Sequence, residues 1–463
     1  MLKTVVAVIG STGVGKSKLA IDLAKALHGE VVNADAMQMY RGFDIITNKV
    51  TPDECDGVPH HLLDHLAVDQ EYTVADFERD ALAKIAEIHA RDRLPILVGG
   101  THYYLQAVLW RQSLVSGRPE PVAASSPPPR STFPDLHAMD NTNLHALLQE
   151  LDPVVARRWH PNDRRKVVRS LEVLRDTGRP HSDWMQETQA ASGQAQRLRF
   201  NTCIFWIHAA KDALDPRLDA RVDEMIQRGL YNELRSLRRL RSTAAGTDSP
   251  RDYTHGILQA IGLKEFEPML QAAEDLPTED LADDRLSTVG AACLETMKLR
   301  TRQYARRQTA WIRNKLLPAY HATLATGGVA PRSAFYVLDA TDLERWSERV
   351  GTPGLATATD FIRDAPLRSP TEIHAKAAVL LAQPAKSEAV DEWRKYTCPE
   401  CTAAARGQVV ELNGTAEWKA HRGSRRHRRA LKWQTLQAQR RTHLATVGTV
   451  DDDGMSSDGG STA

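Results

Sequence analysis

The chain has 463 residues, of which 42% are hydrophobic, and a formal net charge of +1, so it can form two or three domains and its net charge identifies no partner. It has no run of about eighteen apolar residues, which excludes an ordinary membrane-spanning helix. The five cysteines are an odd number for a disulfide framework, and the opening MLKTVVAVIG does not have the pattern of a signal peptide. We therefore expect an intracellular protein with reduced thiols.

The first predicted elements are a strand, TVVAVIG, a glycine-rich loop, and a helix from about Lys16 to Leu27. The loop GSTGVGKS, residues 10 to 17, fits the phosphate-loop pattern G-x-x-x-x-G-K-[ST]. Its backbone N–H groups can converge on an anion, Lys16 can reach a terminal phosphate, and Ser17 can hold Mg²⁺. A glycine-rich turn without a ligand is the alternative. The predicted phosphate-binding residues are Gly10, Thr12, Gly13, Val14, Gly15, Lys16 and Ser17.

Two further apolar strands follow, EVVNAD ending at Asp35 and LPILVGG ending before Thr101, with the helical pattern FERDALAKIAEIHARD between them. This alternation predicts a parallel α/β sheet, whose sites lie at the carboxyl ends of the strands. Asp35 is then a candidate general base close to a bound phosphate, and Thr101 offers a hydroxyl beside it. The alternatives are a solvated or helix-capping carboxylate and an ordinary strand-to-helix turn.

The remaining chain divides by composition. A proline- and serine-rich segment, residues 111 to 135, is expected to be a mobile insertion, and the acidic end of the chain is expected to be disordered. Residues 325 to 390 carry no functional interpretation. The predicted domains are 1–110 (first part of a P-loop α/β core), 111–200 (insertion and helical subdomain), 201–320 (second part of the core with basic helices), 321–390 (extension), 391–435 (zinc finger) and 436–463 (disordered tail).

Three predicted helices carry clustered arginines. In NDRRKVVRSLEVLRDTG, Arg165, Lys166 and Arg169 lie off the apolar stripe. In LDPRLDARVDEMIQRGL, Arg217 and Arg221 are four residues apart and share a face. The segment KLRTRQYARRQTAWIRNK, which includes Arg302 and Arg306, has no acidic residue. Basic stripes of this kind suit a nucleic-acid backbone, although each helix alone is equally consistent with a solvated face.

Near the C-terminus, CPEC is followed after nineteen residues by HRGSRRH. The two thiolates and two imidazoles, Cys398, Cys401, His421 and His427, suit tetrahedral Zn²⁺. The spacing resembles that of the zinc fingers of matrin and of splicing-particle proteins that bind RNA. A chance arrangement is the alternative. The surrounding arginines predict an RNA-binding face, and the same run is compatible with a nuclear import signal.

Seven segments, taken in order, resemble the tRNA isopentenyltransferase (tRNA dimethylallyltransferase) family over about residues 1 to 320. They are GSTGVGKS, NADAMQMY, NKVTPDECDGVPHHLLD, VGGTHYYLQ, HPNDRRKVVRSLEV, QAIGLKE and TRQYARRQTAWIRN. The resemblance implies transfer of a dimethylallyl group from dimethylallyl diphosphate to N6 of the adenosine 3′ of the anticodon, position 37 of the tRNA. Diphosphate leaves, so the glycine-rich loop would hold the donor's diphosphate rather than ATP. Eukaryotic members of the family carry a zinc finger at this place.

The resemblance also assigns residues. Asp35 matches the family's catalytic aspartate, Thr101 matches the threonine that helps to hold it, and Arg221 matches the arginine that grips the diphosphate. Ala36, Met37 and Gln38 match the stretch that contacts the target nucleotide, with alanine at 36 where the family commonly has serine. Contacts with tRNA are expected from Arg165, Lys166, Arg169, Arg302 and Arg306. The expected cofactors are Mg²⁺ and structural Zn²⁺.

Two other functions remain open from the residues alone. A P-loop small-molecule kinase would need a later strand that ends in an aspartate, and the sequence suggests none. A non-catalytic zinc-finger RNA-binding protein would not need Asp35, Thr101 and the phosphate loop together. We expect an α/β fold with a P-loop-type parallel sheet flanked by helices, an inserted helical subdomain and a C-terminal zinc finger. We also expect a monomer in the cytoplasm and/or the nucleus, mitochondria being less expected because no presequence is evident.

Overall fold

In the computed structural model the chain forms two compact units, each built from two separate stretches of sequence. One unit comprises Met1–Gly117 and Thr188–Pro384, and the other Arg118–Glu187 and Ala385–Ala463. The structure describes residues 3–111, 133–136, 138–192, 197–244, 253, 256–274, 284–325, 332–382, 395–405 and 410–447. The predicted insertion therefore lies largely outside the described residues, as does the end of the predicted tail.

The first unit is organised around a parallel sheet. Its strands are β1 (Thr4–Gly10), β2 (Gly29–Asn33), β3 (His60–His61), β4 (Leu94–Val98), β5 (Asn201–His208) and β6 (Ser333–Asp339). Within the described part of the chain, the order across the sheet is β3-β2-β4-β1-β5-β6. The glycine-rich loop follows the interior strand β1, so the loop lies between the ends of β4 and β5.

The helices alternate with these strands and continue into the second unit. In chain order they are α1 (Lys16–Ala26), α2 (Pro52–Cys55), α3 (Val74–Ala90), α4 (His102–Leu109), α5 (Asn141–Leu151), α6 (Pro153–Ala156), α7 (Arg164–Thr177), α8 (His181–Ser192), α9 (Lys211–Gln227), α10 (Leu230–Ala244), α11 (Leu263–Glu274), α12 (Asp284–Trp311), α13 (Leu317–Ala325), α14 (Thr352–Ile362), α15 (Pro370–Ile373), α16 (Ala377–Leu380), α17 (Pro399–Ala404), α18 (Gly414–Arg422) and α19 (Arg425–Val447). A 3₁₀ turn spans Gly256–Gln259, and π-helical turns span Ile312–Leu316 and Ser347–Gly351.

Strand β1 is buried on both faces, which is why its sequence is continuously apolar rather than alternating. Val6 pairs with Ile96 of β4 on one side and with Cys203 of β5 on the other, both in parallel register. Val5 belongs to the hydrophobic core on one face of the sheet, while Val6 belongs to the core on the opposite face. The two cores fix the sheet between layers of helices, so the carboxyl ends of its strands form a fixed edge.

The extension without a sequence interpretation contributes strand β6 to this sheet. It pairs with β5 in parallel from Thr202↔Ser333 to His208↔Asp339. The expectation that no later strand ends in an aspartate is therefore wrong, because β6 ends at Asp339. That carboxylate lies two strands away from β1, accepts a hydrogen bond from the Thr341 N–H, and pairs with Arg349 at 3.1 Å. The Asp339 carboxylate is thus already hydrogen-bonded and ion-paired by neighbouring residues.

The second unit combines the helical subdomain with the C-terminal segment. Helices α5 to α7 share a core that includes Leu144, Leu148 and Leu171. The antiparallel pair β7 (Lys395–Thr397) and β8 (Glu411–Asn413) begins the C-terminal segment, which α17 to α19 complete. His160, before α7, hydrogen-bonds to the Glu411 carbonyl at 3.1 Å and links the two parts of the unit.

The predicted fold class is confirmed: a parallel sheet flanked by helices, with a helical subdomain and a C-terminal cysteine–histidine cluster. One boundary differs from expectation. Helix α19 continues to Val447, so residues 436–447, expected to be part of a disordered tail, are helical. The stretch is rich in good helix formers and has no glycine or proline to end the helix sooner. Nowhere in the described chain is a helix long and apolar enough to cross a membrane.

Candidate active site and metal centre

A cleft of about 890 Å³ opens at the carboxyl edge of the sheet in the first unit. The predicted site residues that line it are Thr12, Gly13, Gly15, Lys16, Ser17, Asp35, Ala36, Met37, Gln38, Thr101 and Arg221. Gly10 and Val14 are not among its lining residues. Val14 is fully buried in the core, and a side chain at Gly10 would collide with the Ile207 carbonyl. Both residues therefore help to set the path of the loop without lining the cleft.

The glycine-rich loop presents the start of α1 to the cleft. Gly13 and Gly15 have φ of +82° and +85°, a left-handed backbone that a side chain would strain. The loop passes close to its neighbours, because a Cβ at Gly15 would lie 2.6 Å from the Trp346 ring. Helix α1 has no side-chain cap and no acidic residue in its first turn. Its positive end is therefore available to an anion in the cleft.

Lys16 and Arg221 bring two half-buried cations to this loop from α1 and α9. Burial lowers the pKa of Lys16 to about 8 and that of Arg221 to about 10, with the Asp35 charge opposing both shifts. Lys16 Nζ donates to the Ser11 carbonyl at 2.8 Å, and the buried Nε of Arg221 has no hydrogen-bond partner. Among the described residues neither forms an ion pair. An anionic ligand would supply the charge that both lack.

Asp35 follows β2 and turns its carboxylate toward the same cleft. The Met37 N–H donates to Oδ1 at 3.1 Å, and the nearby backbone N–H groups of Gly100 and Gln38 also favour the charged carboxylate. Burial raises the pKa of Asp35, while the Lys16 charge and these N–H groups act against the rise. A half-buried carboxylate with a raised pKa is a stronger proton acceptor than a surface aspartate, which suits a general base.

Thr101 ties the acceptor side of the cleft together. Its Oγ1 accepts a hydrogen bond from the Ala36 N–H at 3.0 Å. The neighbouring Gln38 donates through Nε2 to the carbonyls of Thr47 and Asn48. The stretch from Ala36 to Gln38 is therefore fixed by hydrogen bonds at both ends, while its side chains still line the cleft.

Gln308 of α12 is the site residue that the sequence interpretation missed. Its side-chain Oε1 accepts the Thr12 N–H at 2.7 Å, and its Nε2 donates to the Gly100 carbonyl at 3.0 Å. The Thr12 N–H, predicted to face a phosphate, is therefore already hydrogen-bonded within the protein. The available signal was the four-residue spacing that places Gln308 on the same helix face as Tyr304.

The two arginines predicted to share a face of α9 have separate environments. Arg221 lines the cleft, whereas Arg217 donates to the carbonyls of Ala340 and Thr341 at 3.2 Å each. These carbonyls follow β6. Arg217 therefore anchors α9 to the segment after β6, and only Arg221 is placed to meet a ligand in the cleft.

The basic stripe of α12 faces acidic residues of α9. Lys298 pairs with Asp223 at 2.7 Å, and Arg306 pairs with Asp215 at 3.2 Å. Between them, Arg302 pairs with Asp219. The partners are spaced by four residues on both helices and run in opposite directions, so the two helices form an antiparallel ion-pair ladder. Contact of Arg302 and Arg306 with tRNA stays a prediction.

Helix α7 shows the predicted separation of faces. Val167 and Leu171 are buried, while Arg165, Lys166 and Arg169 are exposed, and Gly178 ends the helix with φ of +71°. The cations have local partners: Lys166 pairs with Asp163 at 2.7 Å, and Arg169 pairs with Glu172 at 3.5 Å. Exposed i,i+3 pairs of this kind are weak and do not prevent contact with a phosphate. The predicted tRNA contact stays a prediction here too.

The cysteine–histidine cluster of the second unit is able to hold a metal ion. The potential ligand atoms of Cys398, Cys401, His421 and His427 all lie within 4.8 Å of one another, and all four residues are buried. The His427 Nδ1 is 3.4 Å from the Cys398 Sγ and 3.8 Å from the Cys401 Sγ. These distances fit the sulfur–nitrogen edge of about 3.5 Å in a tetrahedral zinc site. The His421 Nε2 is buried without a hydrogen-bond partner, as expected of an atom reserved for a ligand.

Comparison with known proteins gives consistent matches. The family described as IPP transferase matches residues 38–315. The tRNA dimethylallyltransferase of Schizosaccharomyces pombe is 39% identical over 456 residues, covering 97% of this chain and 100% of the relative. That of Homo sapiens is 36% identical over 458 residues, covering 98% and 90%. Crystallographic snapshots of a eukaryotic dimethylallyltransferase acting on tRNA match with a TM-score of 0.75 and 35% identity, covering 96% of this chain and 100% of that one.

Proposed function

The chain belongs to the IPP transferase family of tRNA dimethylallyltransferases, and on this premise we propose that it transfers a dimethylallyl group from dimethylallyl diphosphate to N6 of adenosine 37 in tRNA. The observation that carries the proposal is the convergence of Lys16, Arg221 and Asp35 in one cleft. Two half-buried cations beside a phosphate loop suit an anionic leaving group, and the carboxylate suits a proton acceptor.

In the proposed reaction, the N6 amine of adenine attacks C1 of the dimethylallyl group. The bond between C1 and the bridging oxygen breaks, and its electron pair leaves with diphosphate. An aromatic amine is a poor nucleophile, so removal of its proton assists the attack. Asp35 accepts that proton, and the raised pKa of Asp35 brings its basicity closer to that needed at neutral pH.

The diphosphate would lie against the N-terminus of α1, with Lys16 and Arg221 neutralising the charge that develops on the leaving oxygen. Arginine has a planar set of donors that matches phosphate oxygens. Ser17, exposed at the mouth of the cleft, offers a hard oxygen ligand to Mg²⁺. When bound, the metal ion would supply further charge stabilisation to the leaving group.

The acceptor adenine must leave its stack to reach Asp35, since the carboxylate lies inside a cleft. Ala36, Met37 and Gln38, with Thr101 behind them, form the wall that would receive the base. Another part of the lining is apolar and includes Val222, Met225 and Met297. This part suits a prenyl chain, and it would limit the access of water to the allylic carbon.

The second unit would supply affinity for tRNA. The cysteine–histidine cluster is proposed to hold structural Zn²⁺, and six exposed basic residues surround it on α18 and α19. These are Arg422, Arg425, Arg426, Arg428, Arg429 and Lys432. Cations that neutralise phosphates make binding to nucleic acid strong and sensitive to salt. We propose that the protein acts as a monomer in the cytoplasm and/or the nucleus, the basic run being compatible with nuclear import.

The direct test is incubation of the protein with isotopically labelled dimethylallyl diphosphate and tRNA, followed by nucleoside analysis. Label recovered as N6-dimethylallyl adenosine from position 37 is the expected result. A parallel incubation with ATP and no RNA tests for a kinase. Nucleotide turnover without any prenylated nucleoside would overturn the proposal.

A further inference from the structure

We propose that Gln308 is the positioning residue that sets the distance between the glycine-rich loop of residues 10 to 17 (the diphosphate loop) and the Asp35 carboxylate. The inference rests on the proposed function, because that function makes the two loops the donor and acceptor sides of one reaction. Gln308 itself is not among the residues that line the cleft. Its role would be to hold the two reacting partners in register.

The Gln308 amide is buried and hydrogen-bonded at both its oxygen and its nitrogen. Only 4% of the residue is exposed, and its Oε1 accepts the Thr12 N–H at 2.7 Å. Its Nε2 donates to the Gly100 carbonyl at 3.0 Å. Thr12 belongs to the diphosphate loop, and Gly100 precedes Thr101 in the loop between β4 and α4, on the side of the cleft proposed to receive the adenine. One side chain therefore bridges both loops directly.

The contact with Gly100 reaches Asp35 through the backbone. The Gly100 peptide lies beside the Asp35 carboxylate, where its N–H acts to lower the pKa of Asp35, while the Gly100 carbonyl accepts a hydrogen bond from Gln308. The fit is close, because a Cβ at Gly100 would lie 2.3 Å from Gln308 Nε2 and 3.2 Å from Asp35 Oδ2. Movement of the amide would therefore move the peptide that supports the base.

Helix α12 makes the bridge rigid. The ion-pair ladder joins α12 to α9, and α9 carries Arg221 into the same cleft. The helix thus relates the loop, the base and the arginine to one another over long separations in sequence; Thr12 and Gln308 are 296 residues apart. A change of about 1 Å in such an arrangement can reduce a rate by about 10²-fold.

The principal variant is Gln308→Met, which keeps the length of the side chain and removes both hydrogen bonds. We expect kcat for prenyl transfer to fall about 30- to 100-fold, because the reacting groups lose their alignment. The dissociation constant for tRNA should stay within about twofold, since binding of the tRNA does not depend on this bridge. Single-turnover kinetics and filter binding measure the two quantities.

A second readout separates positioning from general support of the fold. Loss of the bridge frees the Gly100 peptide, weakens the effect by which its N–H lowers the pKa of Asp35, and should move the acidic limb of the kcat/KM profile to higher pH. The titratable groups that face Asp35 from the packed elements are Lys16 on α1, Tyr104 on α4, Arg221 on α9 and Tyr304 on α12. All of them remain in the variant, so the shift reports the altered peptide.

Gln303→Met is the matched control, because Gln303 lies on the same helix and bonds only locally, to Arg300 at 3.0 Å. Its kcat, pH profile and tRNA affinity should equal those of the wild type. Gln308→Glu is the second test variant: it has the same shape and keeps an acceptor for the Thr12 N–H, but as a carboxylate it has no donor for the Gly100 carbonyl. It should also lose kcat, and it carries the test if Gln308→Met does not fold by circular dichroism.

The outcomes distinguish this inference from the proposed function. An inactive wild type would refute the proposed function. The positioning role would be overturned if the wild type is active and the folded Gln308 variants have a kcat within about threefold of that of the Gln303 control and the same pH profile. A fall in kcat that only follows the loss of folded protein would overturn it as well.

Discussion

Asp35, Lys16 and Arg221 are three charged side chains in one cleft. Burial raises the pKa of Asp35 and lowers those of Lys16 and Arg221, so it favours the neutral form of each. The Asp35 charge opposes the shifts of both cations and the Lys16 charge opposes that of Asp35, whereas Arg221 lowers the pKa of Lys16 further, so the site holds its charges at a cost that a fully exposed surface would not impose. A bound diphosphate would change that balance by satisfying both cations. The protonation of each residue therefore depends on the charges of its neighbours as well as on hydrogen bonds, which makes single substitutions informative.

Replacement of Asp35 by Asn should reduce prenyl transfer at least about 10²-fold, because the amide cannot accept the N6 proton. Binding of tRNA, measured by filter retention, should remain. In the wild type, kcat/KM should rise with pH through the pKa of Asp35, which burial raises above its usual range, and this limb should be absent from any residual activity of the variant. Near-normal transfer by Asp35→Asn would contradict the role of general base.

At the scale of elements, α12 has two functional faces. One face carries Tyr304 and Gln308 toward the loops of the cleft, and another carries the cations of the ion-pair ladder toward α9. A basic stripe that indicates RNA binding in isolation is thus partly neutralised inside the protein. Arg302 is the clearest case, since its side chain is only 20% exposed and its partner is Asp219.

The two interpretations of Arg302 make different predictions. If the residue acts through the ladder, Arg302→Ala and Asp219→Ala should each lower stability by about 1 kcal/mol and should show coupling in a double-mutant cycle. Chemical denaturation measures this. If Arg302 instead contacts tRNA, only Arg302→Ala should weaken binding and reduce the slope of log affinity against log salt by about one. Equal tRNA affinities for both variants would exclude a direct phosphate contact.

At the scale of the whole molecule, the proposed catalysis and the proposed RNA affinity belong to two units that are each discontinuous in sequence. The first unit contains the cleft, while the second contains the helical subdomain and the metal-binding cluster. The hydrogen bond from His160 to the Glu411 carbonyl joins the two parts of the second unit across 251 residues. Loss of the metal should therefore affect RNA binding more than the chemistry.

Replacement of Cys398 and Cys401 by Ser removes two of the four potential ligands. The wild type should contain about one zinc per chain by elemental analysis, and the double variant should contain almost none. We expect the tRNA dissociation constant to rise about tenfold or more, while KM for dimethylallyl diphosphate stays unchanged. Unchanged tRNA affinity over a series of salt concentrations would count against an RNA-binding role for the cluster.

The sequence by itself determined the features that depend on local pattern. Continuous apolar strands that alternate with helical segments predict the parallel sheet. The loop motif places Lys16 at the carboxyl edge of that sheet, because a phosphate loop joins the end of a strand to the N-terminus of a helix. The spacing of Cys398, Cys401, His421 and His427 likewise predicts the metal-binding set, since four ligands close together in sequence have few ways to converge.

Only the tertiary structure decided the contacts between distant segments. Strand β6 joins the sheet by pairing with β5. The bridge from Gln308 to Thr12 and Gly100, and the neutralisation of Arg302 by Asp219, depend on how α12 packs against the loops of the cleft and against α9. A helix face is readable from periodicity, but the partner that it meets depends on packing angles and on which side chains fit. The chemistry of the phosphate loop was therefore visible in its own residues, whereas the alignment of that loop with the base was not.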